Sequence, residues 1–108
     1  MKRIIAIILF LFPFIGISQN LVPNPSFENI DTCPVIGKID YAIPWYNPVN
    51  TTPNTMNTCA SYQIFGFGIP SNLAGYQYPR TGNGYAGIVV FADYAKGRDY
   101  ISVKLDSV

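Results

Sequence analysis

Tyr76, Gln77, Tyr78 and Arg80 fall in one short stretch, and Tyr94 and Arg98 in another. Sugars present apolar C–H faces and hydroxyl rims. A surface that holds them needs exposed aromatic rings beside amide, carboxylate or guanidinium groups that hydrogen-bond hydroxyls. Both stretches offer that chemistry. The competing assignment packs Trp45 and most tyrosines into the core, with only their polar tips in water. Catalysis has less to work with. The chain contains no histidine, which removes imidazole as general base and as metal ligand. Asp31, Asp40, Asp93 and Asp99 lie near loops, where paired carboxylates could hydrolyse glycosides. None sits in a recognisable signature, and serine without histidine lacks its usual base. A non-enzyme is expected.

The positioning frame must be small. A chain of 108 residues holds one domain at most. A net charge of +1 and a charged fraction of 12% give no field for nucleic acid. The first residues, Met1-Lys2-Arg3, precede an apolar run at 4–17 (IIAIILFLFPFIGI), with small residues at Gly16 and Ser18. Cations, a short apolar run and small residues together fit a secretory signal peptide. A membrane anchor, or a buried strand or helix, is the alternative, but a spanning helix needs about 20 apolar residues and Pro13 interrupts this run. The expected organisation is a signal peptide at 1–18 and one domain at 19–108, exported to the periplasm, cell surface or medium, with no membrane span after cleavage. Cys33 and Cys59 are the only cysteines. They cannot make a four-thiolate zinc site. Outside the cytosol they are expected to pair as a disulfide, worth roughly 3–4 kcal/mol by constraining the unfolded chain.

Prolines at 23, 25, 34, 44, 48, 53, 70 and 79 would break any long helix in the remainder. Strand signals are clearer. Residues 26–28 read as a short extended piece after two prolines. Residues 41–46 (YAIPWY) read as an aromatic strand, with Pro44 marking an edge or bulge. Residues 47–61 read as a polar loop, 62–67 as a short strand and 69–80 as a second loop. Residues 85–92 (YAGIVVFA) form the strongest strand signal, introduced by Gly82-Asn83-Gly84. Residues 100–105 alternate, with Ile101, Val103 and Leu105 expected on the core face. A turn at Lys96-Gly97-Arg98 would join the last two strands. Short strands between Gly, Pro and Asn turns predict an all-β sandwich.

The order of these segments carries a resemblance. Asn20-Leu21-Val22-Pro23-Asn24-Pro25-Ser26-Phe27-Glu28 resembles the first strand of galactose-binding-like jelly rolls, including carbohydrate-binding modules that begin N-G-S-F-E. Trp45, the turn Thr81-Gly82-Asn83-Gly84-Tyr85-Ala86 and the aromatic-led stretch 100–105 follow in the same order. More closely, the chain is similar to N-terminal domains of Bacteroidetes-type exported proteins. These combine N-P-S-F-E with a C-P step (Cys33-Pro34), an I-P-W step (Ile43-Pro44-Trp45) and a G-Y-Q step (Gly75-Tyr76-Gln77). Such proteins often continue into an outer-membrane-protein-A-like peptidoglycan-binding domain, and others end in a gliding-motility or type IX secretion sorting domain.

The resemblance implies a jelly roll that binds a glycan or cell-envelope polysaccharide. Its alternative is a structural spacer of the envelope or gliding machinery with no sugar ligand. It also implies a structural calcium, with Glu28 as carboxylate ligand and carbonyls from residues 81–84. Pro25 replaces the usual glycine. The family's sheets need more strands than residues 19–108 supply, so the domain is expected to be incomplete at its C-terminus.

Overall fold

The computed structural model describes residues 19–60, 66–91, 93 and 97–107. The expected signal segment at 1–18, most of the expected strand at 62–67, and Tyr94 and Lys96 lie outside the described residues. Among the described residues the regular structure is β, with a single turn of 3-10 helix at Ile39–Tyr41. Four strands follow: β1 (Asn54–Asn57), β2 (Ser71–Asn72), β3 (Gly75–Tyr76) and β4 (Gly84–Gly87). They form two separate antiparallel pairs, β1 with β4 and β2 with β3.

β1 lies in the stretch expected to be a polar loop. Its sequence, Asn-Thr-Met-Asn, lacks an apolar run, yet Thr55, Met56 and Asn57 are buried. Burying polar side chains is tolerable only when they find partners. Here the Thr55 hydroxyl donates to the Ile39 carbonyl at 3.3 Å, and the Asn57 side-chain oxygen accepts the Cys59 N–H at 3.0 Å. Ile39, Ala42 and Met56 form the buried apolar core, beside Pro34 and Pro53. The Cys33–Cys59 disulfide is formed, with Cα atoms 5.9 Å apart. It fastens the segment carrying Pro34 to the end of β1.

The expected strand at 85–92 is shorter than its apolar run. Pairing with β1 runs from Asn57↔Gly84 to Asn54↔Gly87 and stops there. The next partner would be Pro53, which has no N–H to donate to the ladder. Residues 88–91, just beyond Gly87, are exposed, with Val90 and Phe91 each 70% accessible.

Three other expected elements are corrected. Residues 26–28 are not extended, because Asn24 and Phe27 have φ of +45° and +60° and the Phe27 N–H returns to the Asn24 carbonyl. Residues 41–46 do not make a continuous strand. Only two isolated bridges flank Pro44, Ile30↔Ala42 and Tyr46↔Ser102. Residues 100–105 contribute only that second bridge. Its partner Tyr46 lies between Pro44 and Pro48, which cannot extend a ladder. Ile101 and Val103 are half-buried, but Leu105 is exposed instead of facing the core. The loop at 69–80 contains the β2–β3 hairpin, in which the Asn72 side-chain oxygen accepts the Ala74 N–H at 2.9 Å.

Candidate functional site

The β2–β3 hairpin carries Tyr76 outward. Tyr76 and Tyr78 are 66% and 61% exposed. Their rings meet edge to face, with centroids 5.6 Å apart and planes at 90°, and the Tyr76 phenol donates to the Tyr78 oxygen at 3.0 Å. That hydrogen bond is the main reason the Tyr76 phenol titrates above its ordinary value of 10.0, followed by partial loss of water and repulsion from Tyr78. Gln77 donates its side-chain amide to the Tyr78 carbonyl at 2.8 Å, which leaves its side-chain oxygen as an acceptor. The Gln77 backbone N–H reaches the Pro70 carbonyl at 2.8 Å.

Tyr85 joins this hairpin to β4. Its phenol accepts from the Asn72 side-chain amide at 2.6 Å and donates to the Gln77 carbonyl at 3.3 Å. Asn72 is buried, so both its side-chain groups are committed to the hairpin and its anchor. Tyr85 also lines an open cleft of about 380 Å³ with Pro25, Ser26, Phe27, Arg80, Thr81 and Gly84. The cleft has a cation and hydroxyls beside two aromatic rings. Arg80 and Tyr85 thus share one cleft. Arg98 is exposed and is not among the cleft residues. A second cleft, of about 260 Å³, is more polar and includes Lys38, Asp40, Asn47, Asn50, Thr51 and Thr52.

The structure brings Glu28 to the Thr81–Gly84 turn. What meets the carboxylate there is a set of donors. Oε1 accepts the Asn83 and Gly84 backbone N–H groups at 2.7 and 2.9 Å, and Oε2 faces the Asn83 side-chain amide at 3.5 Å. Gly82, at φ +65°, leaves the space the carboxylate occupies. Calcium takes 6–8 oxygen ligands. A single carboxylate already holding two amides does not fit that demand. Among the described residues no group of three or more Cys, Asp or Glu is gathered.

Two residues that position the site escaped sequence reasoning. Asn24 holds the N-terminal turn. Its side-chain amide donates to the Asn29 and Ile43 carbonyls at 2.9 and 2.7 Å, and its side-chain oxygen accepts the Asn29 N–H at 3.0 Å. Asp99, weighed only as a scattered acid, binds the Thr52 and Val89 N–H groups, one with each carboxylate oxygen. A signal for Asn24 was present, since Asn tolerates left-handed backbone and Asn-Pro favours turns. Asp99 had none. No helix among the described residues is long and apolar enough to cross a membrane. No family model, curated protein or solved structure matches the chain.

Proposed function

We infer that this chain is an exported, non-catalytic binding domain of β-sandwich, jelly-roll type, with a glycan as ligand. The observation that carries this reading is the exposed Tyr76–Tyr78 pair, two rings set at right angles and joined through their phenols. One ring can cover the apolar face of a sugar while the Gln77 amide oxygen and the Arg80 guanidinium meet hydroxyls. The hairpin is held from beneath by Asn72 and Tyr85, so the rings are presented on a fixed frame. The disulfide fits an oxidising compartment. Asp99, with both carboxylate oxygens on backbone amides, is committed to structure, which supports a non-catalytic role.

Affinity electrophoresis of the full chain through gels containing bacterial and plant polysaccharides tests this. At least one should retard the chain, and Tyr76→Ala or Tyr78→Ala should weaken binding by about tenfold. Retardation by none, with both variants silent, overturns it. That result would favour the second reading, an envelope spacer. Its support is the number of polar side chains, Asn24, Glu28, Asn72 and Asp99, spent on the chain's own backbone.

A further inference from the structure

We propose that Asn83–Gly84 is a covalent self-modification site, an asparagine whose deamidation the fold holds back, and that Glu28 sets its rate. Asn83 is exposed in the turn before β4 and is followed by glycine, which has no side chain to obstruct attack on the neighbouring amide. In the reaction the Gly84 backbone nitrogen loses its proton to solvent base and attacks Cγ of Asn83. The new N–Cγ bond forms, the Cγ–Nδ2 bond breaks, and ammonia leaves. Water then opens the cyclic imide at either carbonyl, giving aspartate or isoaspartate. No oxidant or reductant is needed.

Each atom in that sequence is held in the fold. The Gly84 N–H donates to Glu28 Oε1 at 2.9 Å, and the adjacent carboxylate charge opposes loss of its proton. The leaving amide of Asn83 faces Glu28 Oε2 at 3.5 Å. The Asn83 side-chain oxygen accepts from the Thr58 hydroxyl at 3.3 Å, and the Asn83 carbonyl accepts the Thr58 N–H at 2.9 Å. For the nucleophile to reach Cγ, the charge-assisted Gly84 bond must break first. The product carries a new carboxylate beside Glu28. Like charges at that distance repel, so the modified turn holds Glu28 less tightly. Thr81 and Gly84 of this turn line the same cleft as Ser26 and Phe27.

The experiment is incubation of the oxidised, folded chain at mildly alkaline pH, followed by peptide mapping with isoaspartate detection at residue 83. A synthetic peptide of residues 79–87 supplies the unheld rate. Folded wild type should react about tenfold or more slowly than the peptide, the equivalent of one charge-assisted bond. Glu28→Ala should recover most of that factor. Glu28→Asp keeps the charge but shortens its reach, and should also react faster than wild type. Circular dichroism establishes that each variant is folded. If Glu28→Ala unfolds, Glu28→Asp and the wild-type comparison with the peptide decide the matter. Wild type reacting at the peptide's rate, or folded variants reacting no faster than wild type, overturns the proposal.

Discussion

The indole N–H of Trp45 donates to the backbone carbonyl of Asn24 at 2.9 Å. That contact closes a small assembly. Phe27, three residues beyond Asn24, stacks at a tilt on Trp45 with ring centroids 4.9 Å apart. Asn24 itself sits at φ +45° and makes three side-chain bonds to the surrounding backbone. Asn24→Ala should therefore cost about 2–4 kcal/mol, from lost bonds at about 1 kcal/mol each and from left-handed backbone on alanine. Asn24→Gly keeps the backbone freedom and should cost less. Chemical denaturation followed by Trp45 fluorescence measures both. Equal losses would show that the left-handed backbone carries no cost.

The disulfide should be a large single contribution. It closes a separation of 26 residues, and reduction or a Cys33→Ser/Cys59→Ser pair should lower stability by about 3–4 kcal/mol. The loss should be largest where the bridge acts, at Pro34 and the end of β1. Urea melts with and without reductant check the magnitude. A shift below about 1 kcal/mol would mean that the packing of Ile39, Ala42 and Met56 fixes this loop without the bridge.

The Tyr76–Tyr78 contact makes a prediction about pH. Because Tyr76 donates its proton to Tyr78, its folded value lies above the ordinary 10.0. A raised phenol value means that the folded state favours the protonated form. The contact's contribution is complete below the ordinary value and is lost as pH rises through the folded one. Tyr78→Phe removes the acceptor oxygen and should return Tyr76 toward its ordinary titration. Absorbance titration of tyrosinate in the two proteins reads this directly. An unchanged Tyr76 midpoint would assign the shift to another cause.

Legibility in the sequence followed the range of the interaction involved. The Cys33–Cys59 bridge was readable because a chain with two cysteines leaves a single possible pairing. The turn before β4 was readable from Gly82 and Gly84, and the start of β4 came with it. The end of β4 was not, because it depends on Pro53 in the partner strand. β1 was hidden for a similar reason. Its threonine and asparagines look like loop residues until the Ile39 carbonyl and the Cys59 N–H are seen to satisfy them. Loop composition offered the hairpin tyrosines as exposed rings, with core packing as the alternative, and Tyr76 and Tyr78 are exposed. Their anchor through Asn72 and Tyr85 was not readable, since those residues meet only after β4 docks beside the hairpin.

Asp99 gives the sharpest case of a side chain whose role lies in distant backbone. It is only 9% exposed. Oδ1 accepts the Thr52 N–H at 3.0 Å, Oδ2 accepts the Val89 N–H at 2.8 Å, and the Asp99 N–H returns to the Val89 carbonyl at 2.8 Å. It thereby ties the chain leaving β4 to the loop that enters β1, where regular pairing has stopped. Asp99→Asn keeps the shape but turns one acceptor into a donor that faces an N–H. The loss should be about 2–3 kcal/mol, the worth of a charge-assisted bond plus a donor left unsatisfied. The same change at exposed Asp93 should stay within about 0.5 kcal/mol. Amide hydrogen exchange supplies the discriminating measurement. Thr52 and Val89 should lose protection in Asp99→Asn more than Thr55 and Met56 in β1 do. Uniform loss across all four would mean that Asp99 supports the whole fold and not this one junction.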